Sequence, residues 1–188
     1  MSSKINKFTK KDHFFMSLAF DLAKSKSGQT GTNPPVGCII VDEKDNILSV
    51  GSTGYNGAPH AEANAIKNST ENLKNTTLYS TLEPCIHYGK TSPCTDKIIK
   101  AGIRKVIYAI EDIDPRVKSK AKKILSQNKI IVQKNLLRKK AKNFYNSYFY
   151  NRKKKLPYVI GKLALTKNNV IYSAHTKKIT SNQSDKLS

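Results

Sequence analysis

The chain has 188 residues and carries 34 Lys and Arg against 13 Asp and Glu, a formal net charge of +21 at pH 7. That length builds about one domain with a core of its own plus a remnant, and no stretch approaches the roughly 18 consecutive apolar residues of a membrane-spanning helix. The lysines are scattered through prospective helices and loops among many Asn and Ile, which reads as compositional bias and solvated lysine faces, with nonspecific attraction to polyanions as a side effect, and not as a localised nucleic-acid patch.

In chain order, Phe14, Phe15, Leu18, Ala19, Leu22 and Ala23 recur at helical spacing and predict an amphipathic helix over 10–26. Residues 28–35 break the pattern as a loop. The apolar runs 36–41 and 47–51 predict two strands joined as a hairpin by the polar turn 42–46. After the Gly/Pro-rich stretch 51–59, a helix starts near His60 and turns Ala61, Ala65 and Ile66 inward. A strand follows over 77–81, a short helix over 95–101 opened by Cys94, and a strand over 104–110. A helix over 117–127, a strand over 129–133 and a helix over 135–149 complete the pattern. Strands separated by helices imply an α/β sheet with helices on both faces.

The chemistry concentrates in Pro59-His60-Ala61-Glu62, Pro84-Cys85 and Pro93-Cys94. One imidazole and two thiolates are ligand types of a catalytic Zn²⁺ site with one open position, and Glu62 is the carboxylate beside it. Zinc deaminases of bases carry His-x-Glu and then Pro-Cys in this order, the Glu acting as proton shuttle and not as ligand. Three unrelated buried thiols or a Cys85–Cys94 disulfide are the blander readings. The polar, basic N-terminal stretch lacks a secretory apolar segment, so a reducing cytoplasm and metal binding are expected. Cys38 sits without a motif partner inside the run 36–41 and reads as a core thiol.

Eight residues separate Cys85 from Cys94, where most nucleoside, RNA and DNA deaminases have two. This spacing resembles the pyrimidine deaminase domain of the bifunctional riboflavin-biosynthesis deaminase/reductase family, whose motif T-L-E-P-C-x-H-x-G-(K/R)-T-x-P-C is matched at every specified position from Thr81 to Cys94. Asn33-Pro34-Pro35-Val36-Gly37, the run from Gly57 to Glu62, and Asp112-Ile113-Asp114-Pro115 resemble further family segments. The likeness spans about 12 to 165.

The resemblance implies a three-layer α/β/α cytidine-deaminase-like fold with a mixed central sheet. It also implies one Zn²⁺ per chain on His60, Cys85 and Cys94, with Glu62 as the catalytic proton shuttle. The implied substrate is the phosphorylated pyrimidine nucleotide 2,5-diamino-6-(5-phosphoribosylamino)pyrimidin-4(3H)-one, deaminated hydrolytically at C2. Asn33 would orient the base, His87 would donate to a carbonyl or ribose hydroxyl, and Lys90 with Thr91 offers a cation and a hydroxyl suited to phosphate. Asp112 and Asp114 would line the ribose phosphate end or cap the following helix. A homo-oligomer and a separate reductase partner are expected, with no specific nucleic acid and no membrane. His13 and His175 read as structural or solvated.

Departures from the family pattern also stand out. Gly51-Ser52-Thr53 replaces Gly-Tyr-His and removes a polar contact, and Val117-Lys118-Ser119-Lys120-Ala121 lacks two glycines. Residues 1–150 read as the deaminase domain, 151–155 as a basic, mobile linker, and 156–188 as a truncated reductase start whose run 156–165 resembles the first reductase strand. With so short a remnant, neither NADPH binding nor reductase activity is expected. Two rivals remain: a tRNA or nucleoside deaminase, and a catalytically idle regulatory partner of a separate reductase.

Overall fold

A computed structural model describes residues 8–88 and 92–163. Helix α1 (Lys10–Lys24) is started by a capping box, in which the Thr9 hydroxyl accepts from the Asp12 amide while the Asp12 carboxylate accepts from the Thr9 amide. It buries Phe15, Met16, Ala19, Phe20 and Ala23. Phe14, which the periodicity places on the inner face, is 57% exposed. The helix is rotated so that Met16 and Phe20 fill the core, which carries Phe14 outward.

Five strands form one sheet: β1 (Gly37–Val41), β2 (Ile47–Ser52), β3 (Thr77–Ser80), β4 (Lys105–Tyr108) and β5 (Ile131–Lys134), in the order β2-β1-β3-β4-β5. β1 runs antiparallel to β2 and β3, while β3, β4 and β5 are mutually parallel, so the sheet is mixed. Two glycines locate the layers. A Cβ on Gly37 would lie 1.9 Å from Ala19 O of α1, and one on Gly51 would lie 2.2 Å from Ala61 O of α2 (Ala61–Asn68). Gly51 pairs with Cys38, and successive strand residues face opposite sides, so α1 and α2 cover opposite faces. Helix α3 (Cys94–Lys100) packs on α2 and on α4 (Ala121–Gln127). A ring contact of 5.7 Å between Phe20 and Phe144 puts α5 (Arg138–Phe144) with α1. This is the expected α/β/α arrangement, and Cys38 is a fully buried core thiol as read.

Three stretches differ from expectation. The helix expected over 117–127 begins only at Ala121, because 115–120 form turns held from outside the segment. The single helix expected over 135–149 is two, α5 and α6 (Asn146–Lys154), broken at Tyr145. The buried Tyr145 hydroxyl donates to Pro35 O at 3.0 Å and lies 2.6 Å from Thr81 Oγ1, and this tether bends the chain. Residues 151–154, expected as a mobile linker, are the last turn of α6. Residues through Leu156 belong to one compact unit. Taken by itself, 157–163 is exposed and carries no helix or strand; residues 164–188, including His175 and the rest of the expected strand over 156–165, lie outside the described residues.

Candidate metal centre and its pocket

His60 is the N-cap of α2, Cys94 is the first residue of α3, and Cys85 lies in the loop between β3 and α3. His60 Nδ1 is 3.4 Å from each sulfur, and the three donor atoms lie within 4.8 Å of one another. A tetrahedral Zn²⁺ with Zn–S near 2.3 Å and Zn–N near 2.0–2.1 Å needs donor separations of about 3.5–3.8 Å. The set therefore fits such an ion with little movement and leaves one position open. The Cys94 backbone amide, at the start of α3, donates to Cys85 Sγ at 3.3 Å. The Cys94 thiol, then His60 and that amide, pull the Cys85 thiol down against its burial, while Cys94, donating to Cys85 and buried beside Glu62, is pushed up.

Glu62, in the first turn of α2, is 4% exposed and accepts from Ser80 Oγ at 2.9 Å. Burial raises its carboxyl above the ordinary range against the opposing pull of His60. A carboxyl so placed can both accept a proton from and return one to a group bound in the pocket.

The pocket around this cluster is lined by Asn33, Glu62, Glu83, His87, Asp112 and Asp114, among others. Asn33 Nδ2 donates to Gly57 O at 3.1 Å, which leaves its amide oxygen for another partner. Gly57 sits at φ +87, where a Cβ would lie 2.3 Å from Asn33 Nδ2. His87 Nδ1 is buried and has no hydrogen-bond partner among the described residues. Thr53, standing where the family pattern has His, lines the pocket but spends its hydroxyl on the Val36 amide at 2.8 Å. Lys90 and Thr91 lie outside the described residues.

The two loop aspartates are pushed apart electrostatically. Burial lifts Asp112, whereas Arg116 clasps Asp114 at 2.6 Å and holds its carboxyl down at about 2. Four residues of this wall carry no sequence assignment: Glu83, Arg116, Tyr148 and Arg152. Glu83 is 3% exposed, and its carboxylate accepts backbone N–H groups from Asp112 (3.2 Å), Ser119 (3.0 Å) and Ala121 (3.1 Å). Its place inside the T-L-E-P-C motif was a signal that it matters. Tyr148 and Arg152 come from α6, and no local pattern announces them. His13 is exposed on α1, away from this set.

Residues 9–110 match the family described as the cytidine and deoxycytidylate deaminase zinc-binding region. The diaminohydroxyphosphoribosylamino-pyrimidine deaminase of Buchnera aphidicola subsp. Schizaphis graminum is 40% identical over 147 residues, covering 78% of this chain and 99% of that protein. The riboflavin biosynthesis protein RibD of Haemophilus influenzae is 40% identical over 159 residues, which is 85% of this chain but 42% of that protein. The crystal structure of the deaminase/reductase of Thermotoga maritima superposes with a TM-score of 0.86 at 35% identity, covering 94% of this chain and 52% of that one. The chain thus spans about half the length, or less, of the RibD proteins it matches. Among the described residues, no helix is long and apolar enough to cross a membrane. By the match over 9–110 and the near-complete coverage of the Buchnera deaminase, the chain belongs to the cytidine-deaminase-like zinc-binding family, on its riboflavin-biosynthesis deaminase branch.

Proposed function

We propose that the chain is the cytoplasmic, zinc-dependent enzyme that deaminates 2,5-diamino-6-(5-phosphoribosylamino)pyrimidin-4(3H)-one hydrolytically to 5-amino-6-(5-phosphoribosylamino)uracil and ammonia. The observation that carries this reading is His60 Nδ1 lying 3.4 Å from both Cys85 and Cys94, with buried Glu62 in the same pocket. His60, Cys85 and Cys94 would hold one Zn²⁺ per chain. When bound, such an ion acidifies a water and makes it a nucleophile at neutral pH. Glu62 would take one proton from the attacking water and give it to a ring nitrogen, then take the second proton from the hydroxyl formed at C2 and give it to the amine, which leaves as ammonia while the C2 carbonyl forms. Its burial excludes competing solvent protons, and Ser80 fixes its Oε1.

Asn33 orients the base through the amide atoms not engaged by Gly57. The unpartnered His87 Nδ1 offers a contact to a carbonyl or hydroxyl. Asp112 and Asp114 face the ribose side, and Lys90 with Thr91 would meet the phosphate. The enzyme works as a homo-oligomer without a specific nucleic-acid partner, and a separate reductase consumes its product. The test is ammonia release from the diaminopyrimidine nucleotide, with cytidine and tRNA as controls. Turnover of the nucleotide is expected, and release from cytidine or tRNA alone refutes the assignment. Glu62→Gln should retain the metal yet lose about 10²- to 10⁴-fold in turnover; near-normal turnover removes Glu62 from the chemistry.

A further inference from the structure

The pocket over the metal centre is small, about 100 Å³, well under the roughly 300 Å³ at which ordinary small-molecule sites begin. It has room for a ring and not for a ribosyl phosphate. A second cavity of about 500 Å³ adjoins it, and the two share Asp114, Arg116 and Arg152 as common walls. The outer cavity is further lined by Ile113, Pro115, Lys153 and Lys155, so four cations face one carboxylate there. A ligand whose ring occupies the inner pocket can extend over these shared residues into a basic chamber.

The two arginines at the junction are not equivalent. Arg116 is already engaged, its Nε and Nη2 both bonded to Asp114. Arg152 makes no ion pair with any described carboxylate, and its guanidinium lies over the Tyr148 ring at 5.4 Å from the centroid. Tyr148 is fixed in turn, since its hydroxyl donates to Asp112 Oδ1 at 3.4 Å. A stacked, half-buried guanidinium has lost its rotamer freedom beforehand and keeps N–H donors in a fork that matches two phosphate oxygens. Arg152 comes from α6, beyond the residues 9–110 that match the deaminase zinc-binding region.

Resting on the deaminase reading above, we infer that the outer cavity receives the phosphate end of the substrate, and that Arg152 on α6 is a further specificity-determining cation, besides Lys90, that favours a phosphorylated over a dephosphorylated pyrimidine. Lys153 and Lys155 line the same chamber and add long-range attraction.

The test compares the wild-type holoenzyme with Arg152→Ala and Arg152→Lys. In the first arm, ammonia release from the diaminopyrimidine nucleotide and from its dephosphorylated nucleoside gives a preference ratio in kcat/KM. Loss of one charge-assisted contact should cut that ratio about 10- to 150-fold in Arg152→Ala, with Arg152→Lys between it and wild type because the charge remains and the fork does not. Equal losses on both substrates would make Arg152 structural and overturn the inference, as would an unchanged ratio. In the second arm, calorimetric titration with ribose 5-phosphate needs no turnover. Weakening by a like factor in Arg152→Ala supports the chamber, and equal affinity in the two proteins overturns it. Failure of the wild type to release ammonia, with ribose 5-phosphate binding intact and sensitive to Arg152, would sink the deaminase reading while leaving the chamber standing.

Discussion

Replacing Glu83 by alanine should loosen the whole wall from Asp112 to Ala121 while leaving the three candidate metal ligands in place. The carboxylate accepts three backbone N–H groups, at 3.2, 3.0 and 3.1 Å, from residues 29, 36 and 38 positions further along the chain. Each buried donor left without a partner costs about 1–3 kcal/mol. Two terms reduce the sum: water can reach the Ser119 amide, whose residue is exposed, and removing the carboxylate abolishes the burial cost that raises its pKa. A net loss of about 2–4 kcal/mol remains. For a chain of this size that lowers the thermal midpoint by about 4–16 °C. Glu83→Gln keeps one good acceptor and should fall between.

The assay pairs thermal unfolding by circular dichroism with metal content and steady-state kinetics. Because Asp112 and Asp114 ride on the tethered segment, KM for the nucleotide should rise while stoichiometric metal is retained. A midpoint within about 2 °C of wild type, or loss of metal with an unchanged KM, would show that Glu83 does not organise this wall.

Gly57→Ala should raise KM through Asn33, because the added Cβ would fall 2.3 Å from Asn33 Nδ2 at a backbone φ of +87; the strained conformation costs about 1–2 kcal/mol, and an unchanged KM refutes the link. Arg116→Ala should return Asp114 from about 2 toward the ordinary carboxylate range, read by carboxyl NMR. Since that folded value is depressed, the pair's contribution is present in full above the ordinary range and is lost as pH falls through about 2; because the Arg116 partner is 61% exposed and solvent screens it, the pair is worth about 0–1 kcal/mol at pH 7. Asp12→Ala removes both the α1 capping box and the partner of the Tyr79 hydroxyl at 2.7 Å, and should cost about 2–4 kcal/mol in a denaturant midpoint. Burial raises the Asp12 carboxyl, but bonds from Thr9 and Tyr79 outweigh it and hold the net value low, so this contribution also exists above the ordinary carboxylate range and fades in acid; Asp12→Asn should flatten that acid dependence, and an unchanged slope refutes it.

What was legible in the sequence, and what was not, follows the distance over which each feature is determined. The start of α1 is set by Thr9 and Asp12 three residues apart, and the β1–β2 hairpin by a polar turn in which the Asp42 carboxylate accepts the amides of Lys44 and Asn46. Such signals sit within one turn of chain and can be read directly. The candidate metal ligands are legible for a related reason: each sits beside a local boundary that the sequence announces, His60 after Pro59 and Cys94 after Pro93, so their meeting requires only that two helix N-termini converge.

The break between α5 and α6 is set instead by Tyr145 reaching Thr81 and Pro35, 64 and 110 positions away. Helical spacing over 135–149 carries no trace of that tether. Glu83 was visible as a motif letter, yet its work is defined by amides on a segment whose missing glycines put the loop geometry in question. The segment holds nonetheless, with Ser119 itself at φ +61, because the Glu83 carboxylate supplies from outside the constraint that glycines would have eased from within. Arg152 gives the sharpest case. Among the basic residues of 151–155 it is compositionally indistinguishable from a linker charge, and only the ring of Tyr148 one turn earlier on α6 turns it toward the pocket. Local signals therefore place the atoms that would do the chemistry, while the residues that would select the substrate are assembled by long-range packing, and a substitution in the α5–α6 tether can alter selectivity without touching any residue of the motif.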